Sequence, residues 1–213
     1  AVIHNCNMQI AAGEIVVIMG GSGSGKSTFL RHLIGLKPPM EGDVLLFGES
    51  LYGVDEIARL RLLKGIGVAF QSGALLSSLT VAENVALPLI EHSQLDRETI
   101  DVIVRMKLDF VGLLGKEDLL PSELSGGMLK RVAVARAIAL DPRLTFMDEP
   151  SAGLDPVVAA ALDELIIKLR DTLGMSVAVV THELESAFKI ADRIVVLDRG
   201  HIIFSGSVAE IKA

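Results

Sequence analysis

Five uninterrupted apolar residues, Ile15–Met19, run directly into Gly20-Gly21-Ser22-Gly23-Ser24-Gly25-Lys26-Ser27, which fits the pattern G-x-x-x-x-G-K-[ST]. Such a run predicts a buried strand, a tight loop and the start of a helix reaching to about Gly35. Glycines let successive backbone N–H groups turn inward, and the helix that follows presents its positive end to the same point. Gly20, Gly21, Ser22, Gly23, Ser24 and Gly25 are therefore candidates to cradle phosphate oxygens. Lys26 is placed to pair with the outer phosphates and Ser27 to ligate Mg²⁺, while Thr28 suits helix or phosphate support better than metal ligation.

Further short apolar runs at 44–47, 66–70, 144–147, 177–180, 194–197 and 202–204 read as strands. Helical patterns lie between several of them. In 157–173, Val158, Ala161, Leu162, Leu165, Ile166 and Leu169 recur at spacings of three and four. That alternation predicts an α/β domain wound around a mostly parallel sheet. Residues 72–140 break the rhythm and predict a helical insertion, with a capping box at Thr80-Val81-Ala82-Glu83 opening one helix and 96–111 forming another. We expect one domain over 1–213, with 72–140 as a helical subdomain within it.

Half of the residues are hydrophobic and the mean hydropathy is +0.50. Every apolar run is broken before the roughly 18 residues that a spanning helix needs, so the excess fits parallel strands covered on both faces. A net charge of -7 offers no basic footprint for nucleic acid. Cys6, the one cysteine, has no internal partner, and no basic-then-apolar leader opens the chain, so a reducing cytoplasm is expected.

Leu144-Thr145-Phe146-Met147-Asp148-Glu149 ends a strand in two adjacent carboxylates, the form of a Walker B site. Asp148 suits Mg²⁺, directly or through water, and Glu149 suits orienting the attacking water, since positioning and charge stabilisation make up most of phosphoryl-transfer catalysis. Three fragments accompany the pair: Gln71 after the run 66–70, Ser125-Gly126-Gly127 before a helix, and His182 after the run 177–180. Each also has a plain structural explanation. Ser125 is a good N-cap, Asp155-Pro156 reads as N-cap plus first-turn proline, and Gln71 and His182 suit a solvated surface.

In this order the fragments resemble the nucleotide-binding domain of ABC transporters over essentially the whole chain. Leu124-Ser125-Gly126-Gly127-Met128 is similar to the LSGGQ signature, Ser151-Ala152-Gly153-Leu154-Asp155 to the D-loop, Gln71 to the Q-loop glutamine and His182 to the switch histidine. The resemblance implies a P-loop NTPase fold with a mostly parallel core, an N-terminal antiparallel β part and a helical subdomain. It also implies ATP and Mg²⁺ as cofactors, with Ser27, Gln71 and Asp148 at the metal and Glu149, His182, Gln71 and Lys26 as catalytic groups. A head-to-tail dimer follows, in which Ser125, Gly126 and Gly127 of one copy face the nucleotide held by Lys26 of the other.

Phe70-Gln71-Ser72-Gly73-Ala74-Leu75-Leu76 and Pro121-Ser122-Glu123-Leu124-Ser125-Gly126-Gly127-Met128 look like the ATPase subunit of Mla-type, Mce-associated phospholipid transporters. Met128 in place of glutamine fits that subgroup. The resemblance implies an integral membrane permease, a periplasmic Mce-type lipid-binding protein and a peripheral position on the cytoplasmic face of the bacterial inner membrane. Leu75, Leu76, Leu79 and Val81 are expected to line a groove for the permease. Importers of amino acids or methionine share the framework and stand as an alternative. Soluble non-transport ABC ATPases fit less well, because no coiled coil separates Gly25 from Ser125, and a non-hydrolysing regulator is disfavoured by Glu149 and His182. The family's adenine-stacking aromatic has no counterpart in 1–7, and Tyr52 lies too far along, so the natural chain is expected to begin upstream.

Overall fold

The structure, a computed structural model, describes residues 3–212. In chain order its elements are β1 (Ile15–Met19), α1 (Lys26–Leu33), β2 (Leu45–Leu46), β3 (Glu49–Ser50), α2 (Glu56–Lys64) and β4 (Ile66–Ala69). Then come α3 (Val81–His92), α4 (Arg97–Phe110), a 3-10 turn at Pro121–Glu123 and α5 (Gly126–Ala137), with no strand among them. The chain continues through β5 (Leu144–Asp148), α6 (Pro156–Leu173), β6 (Ser176–Thr181), α7 (Leu184–Ile190), β7 (Arg193–Asp198), β8 (His201–Gly206) and α8 (Val208–Ile211).

Six strands form one sheet in the order β4-β5-β6-β1-β7-β8. The pairings from β4 to β7 are parallel, and β8 closes the sheet antiparallel to β7. A second antiparallel part, the β2–β3 ribbon, lies apart from it. Because side chains alternate across a strand, the sheet has two interior faces. Val16, Ile18, Phe146, Ala178, Val180 and Val195 meet Phe29 and Leu30 of α1 and Ile34 at its C-cap. On the other face Ile15, Val17, Met147, Val177, Val179 and Ile194 join one core with Leu162 and Ile166 of α6. That core runs on into Val85, Val104, Leu108 and Val132 of the inserted helices, so one apolar body unites sheet and insertion.

Local chemistry sets the helix starts. Thr80 Oγ1 accepts from the Glu83 N–H while Glu83 Oε2 accepts from the Thr80 N–H, completing the predicted box. Asp96 caps α4 through the Thr99 N–H. Four elements were not expected from sequence: β3, α2, α7 and α8. In α2 the apolar residues do not follow one stripe, since Ile57 and Leu60 are exposed while Leu62 is buried, so the helical period is weak.

Candidate functional site

The strand order decides where the site lies. The chain leaves β1 in the middle of the sheet and passes to β4 at the far edge before filling β5 and β6 between them, which leaves a switch point above β1. Parallel register puts Met19 beside Thr181, Asp148 beside Val180 and Ala69 beside Met147. The phosphate loop, Gln71, Asp148, Glu149 and His182 therefore all emerge at the same carboxyl edge.

Gly20 can only be glycine here, since a Cβ would stand 2.3 Å from the Leu197 carbonyl oxygen and 2.5 Å from Ser24 Oγ. The Gly200 N–H donates to the Ser24 carbonyl at 2.8 Å and straps the loop to the β7–β8 turn. No side chain caps α1, whose N-cap Gly25 has φ +109, so its first N–H groups face a concavity of about 160 Å³ lined by Gly23, Ser24, Gly25, Lys26, Ser27 and Thr28. Ser24 Oγ is buried there without a hydrogen-bond partner. Lys26 Nζ folds back onto the loop, donating to the Gly20 and Gly21 carbonyls at 2.6 and 3.1 Å. Gly21 and Ser22 are exposed at its rim.

Glu149 follows β5 with φ +47, a left-handed conformation that is unusual for a side chain of this size. It is 8% exposed. Its Oε1 lies 2.8 Å from His182 Nδ1, and its Oε2 accepts from Thr181 Oγ1 at 3.2 Å. Burial pushes the Asp148 carboxyl above its ordinary value, the charge of Glu149 adds to this, and Lys130, Lys26 and Arg31 oppose it. The Gln71 side chain is exposed, and its main-chain carbonyl accepts from Lys130 Nζ.

The signature fragment lies on the inserted helices. Ser125 caps α5, its Oγ accepting from the Met128 N–H at 3.3 Å. Gly127 sits against α6, where a Cβ would meet Val158 Cγ1 at 2.5 Å. Asp155 caps α6 through the Val157 and Val158 N–H groups, both at 3.1 Å. Both plain cap explanations are thus realised. Among the described residues no hydrogen bond joins Ser125, Gly126 or Gly127 to the phosphate loop.

The profile of the ABC transporter family matches residues 3–152. The chain belongs to the ABC transporter family. It is 41% identical over 212 residues to the intermembrane phospholipid transport system ATP-binding protein MlaF of Escherichia coli (strain K12), covering 100% of this chain and 79% of that protein. It is also 40% identical over 210 residues to the methionine import ATP-binding protein MetN of Mannheimia succiniciproducens, covering 98% of this chain and 60% of that one. The dimeric, post-hydrolysis structure of the ATP-binding cassette MJ0796 bound to ADP and Pi matches with a TM-score of 0.86 at 33% identity, over 97% of this chain and 90% of that chain. As an ABC transporter ATPase, this chain is the ATP-binding and ATP-hydrolysing subunit of its transporter.

Two further features bear on how this ABC ATPase works. Lys130 and Thr181 touch Glu149 although the sequence singled out neither; Thr181 could have been found as the residue before His182, whereas nothing local marks Lys130. The apolar groove also differs from expectation. Val81 is fully buried in the core and Leu75 packs against that core, because Asn84 pulls the loop down by accepting from the Leu76 N–H and donating to the Leu79 and Thr80 carbonyls. Leu76 stays 46% exposed and Leu79 half-buried, so these two remain accessible as a lining, and a separate open groove of about 770 Å³ lies between α2, β4, α3 and α5, with Ile57, Leu60, Leu63, Val68 and Pro88 on its walls. Ile57 is 82% exposed and Leu60 51%. No helix among the described residues is long and apolar enough to cross a membrane.

Proposed function

We propose that this chain couples MgATP hydrolysis to phospholipid movement through a separate integral membrane permease, as an Mla-type ATPase subunit. The observation that carries the substrate class is the 41% identity to MlaF across 212 residues, the whole of this chain. Two stretches of special resemblance, Phe70–Leu76 and Pro121–Met128, support it. In this reading residues 1–213 form one ABC ATPase domain with 72–140 as its helical subdomain. The chain sits on the cytoplasmic face of the bacterial inner membrane, and a periplasmic Mce-type protein hands lipid to or from the permease. The exposed Ile57 and Leu60 in the groove beside α2 suit an apolar segment of that permease.

The site residues take the following roles. Gly20, Gly21, Ser22, Gly23, Ser24 and Gly25 wrap the phosphates with main-chain N–H groups, the unpartnered Ser24 hydroxyl adds a donor, and Thr28 supports the helix start. Lys26 exchanges the carbonyls of Gly20 and Gly21 for the outer phosphates. Ser27, Gln71 and Asp148 are all oxygen donors and suit Mg²⁺, which prefers such hard ligands and keeps several phosphate and water oxygens. Among the described residues no group of three His, Cys, Asp or Glu stands ready to hold a metal, which fits a cation held largely by the nucleotide. Mg²⁺ bound there neutralises charge that develops on the phosphoryl oxygens. Glu149 accepts a hydrogen bond from the attacking water, and His182, at 2.8 Å, fixes the carboxylate that does so. Ser125, Gly126 and Gly127 of a second copy complete the site in a head-to-tail dimer, since none of them reaches the phosphate loop of their own chain by a hydrogen bond.

The 40% identity to MetN keeps an importer of amino acids or another small solute as a second reading; a soluble non-transport ABC ATPase is the reading from a different class. Isolating the tagged chain from native membranes with its permease, and measuring ATPase in liposomes of defined phospholipid, decides among the three. We expect a permease associated with an Mce-type protein and turnover that follows phospholipid. A permease associated with an amino-acid receptor, and turnover that follows methionine, selects the second reading; recovery with no permease selects the third.

A further inference from the structure

Lys130 lies in the second turn of α5, the helix opened by Ser125, Gly126 and Gly127. Its Nζ donates to the main-chain carbonyl of Gln71 at 2.5 Å and to that of Glu149 at 3.0 Å. One ammonium thus joins three pieces of chain that are far apart in sequence: the signature helix, the turn after β4 and the turn after β5. The other cation of α5 that reaches this region behaves differently. Arg136 donates to the Gly73 and Ala74 carbonyls, both at 2.8 Å, and holds the loop after Gln71 without touching Glu149.

The bond to Glu149 falls on a residue that needs holding. A non-glycine residue at φ +47 sits in a sparsely populated, strained region and persists there only where the surroundings over-determine it. The Glu149 N–H is tied to the Val180 carbonyl at 2.8 Å. Its carbonyl accepts from Lys130 and from the Ala152 N–H, the latter at 3.3 Å. Rotation of this peptide would swing the carboxylate away from His182. Burial lowers the Lys130 pKa, against the pull of the carboxylates of Glu149, Asp148 and Glu183, yet none of these forms an ion pair with it among the described residues. Its hydrogen-bonding capacity goes to backbone.

We propose that Lys130 is a positioning residue for ATP hydrolysis, clamping the Gln71 and Glu149 carbonyls to one ammonium so that the water-orienting carboxylate and the glutamine keep a set distance from each other and from the signature helix. This rests on the reading of Glu149 as the catalytic carboxylate. The role is geometric, and misplacing a reacting group by about 1 Å can cost on the order of a hundredfold in rate. A lysine that merely stabilised the fold would act on melting temperature and ATP affinity together.

The test compares wild type, K130M, K130R and E149Q in the purified full chain, by steady-state ATPase, ATP affinity and thermal melting. K130M keeps the length of the side chain but donates nothing; K130Q replaces it should K130M not fold. The expected result is a kcat lower by about tenfold or more with KM for ATP within about threefold, the pattern of an interaction needed in the transition state rather than for binding. K130R, which can still reach two carbonyls, recovers most of the rate, and the melting temperatures of all variants agree. A kcat for K130M within twofold of wild type overturns the clamp. So does a joint loss of rate, affinity and melting temperature that K130R does not restore. E149Q turning over at the wild-type rate is a separate failure, because it removes the catalytic reading of Glu149 on which the clamp rests.

Discussion

His182 Nδ1 stands 2.8 Å from Glu149 Oε1, with the imidazole side chain 62% exposed and the carboxylate side chain only 11%. The ring closes over a buried carboxylate from the solvent side. Without it, Glu149 keeps one side-chain partner, Thr181 Oγ1 at 3.2 Å, and is free to turn. His182→Ala should lower kcat about a hundredfold, the low end of what positioned proton-handling groups contribute, with ATP binding little changed. Phosphate release and calorimetric ATP titration measure the two quantities. Equal turnover in variant and wild type would remove His182 from the mechanism.

The proposed sharing of the site between two copies predicts a specific complementation. Lys26→Ala destroys the phosphate loop and Ser125→Arg blocks the signature, so each variant alone should be inactive. In a mixed dimer one composite site carries both lesions and the other carries neither. Each mixed dimer should therefore recover towards half of the activity of the intact dimer, and an equimolar mixture that pairs at random towards a quarter. If mixed dimers form, as shown by differently tagged copies, and no activity returns, the head-to-tail arrangement is wrong.

The contact between Gly127 and Val158 predicts a reciprocal pair. A methyl group at Gly127 would lie 2.5 Å from Val158 Cγ1, and a β-branched side chain in a helix has little freedom to yield. Gly127→Ala should destabilise by about 1–3 kcal/mol, as overpacking does, despite the better helix propensity of alanine. Val158→Ala opens the space, so the double variant should recover most of the loss. Denaturant melts of the three variants give the coupling; strict additivity would mean that the two residues do not meet.

Asp148 predicts a pH-dependent exchange of stability for function. Burial, reinforced by Glu149, raises its folded-state pKa above the unfolded one. Such a carboxyl favours the fold fully below its unfolded pKa, about 3.9, and loses that contribution as pH rises through the folded value. At neutral pH the fold therefore carries this charge at a disadvantage. Asp148→Asn should raise the melting temperature of the nucleotide-free chain at pH 7, with the gain fading as pH falls towards 4, and should abolish Mg²⁺-dependent ATP binding. A lower melting temperature at pH 7 would contradict the direction of the shift.

What the sequence by itself determined is what depends on near neighbours. The apolar run Ile15–Met19 and the glycines after it specify a strand, a loop and a helix within twenty residues, and Thr80, Asp96 and Asp155 specify helix starts through N–H groups two or three positions away. The three-and-four spacing of Val158 to Leu169 specified α6 in the same way, through a period that any helix must satisfy. Nothing of that range specifies α2, whose apolar residues face both solvent and core, or the groove beside it, because there the lining depends on which neighbours pack against it. The tertiary structure alone decided that Gln71, Glu149 and His182 share one edge, since that follows from β5 and β6 being inserted between β4 and β1. It also decided that Lys130 reaches two carbonyls 59 and 19 residues away. A long polar side chain carries no mark of its partner, and only the packing of α5 against the sheet brings those carbonyls within reach of its ammonium.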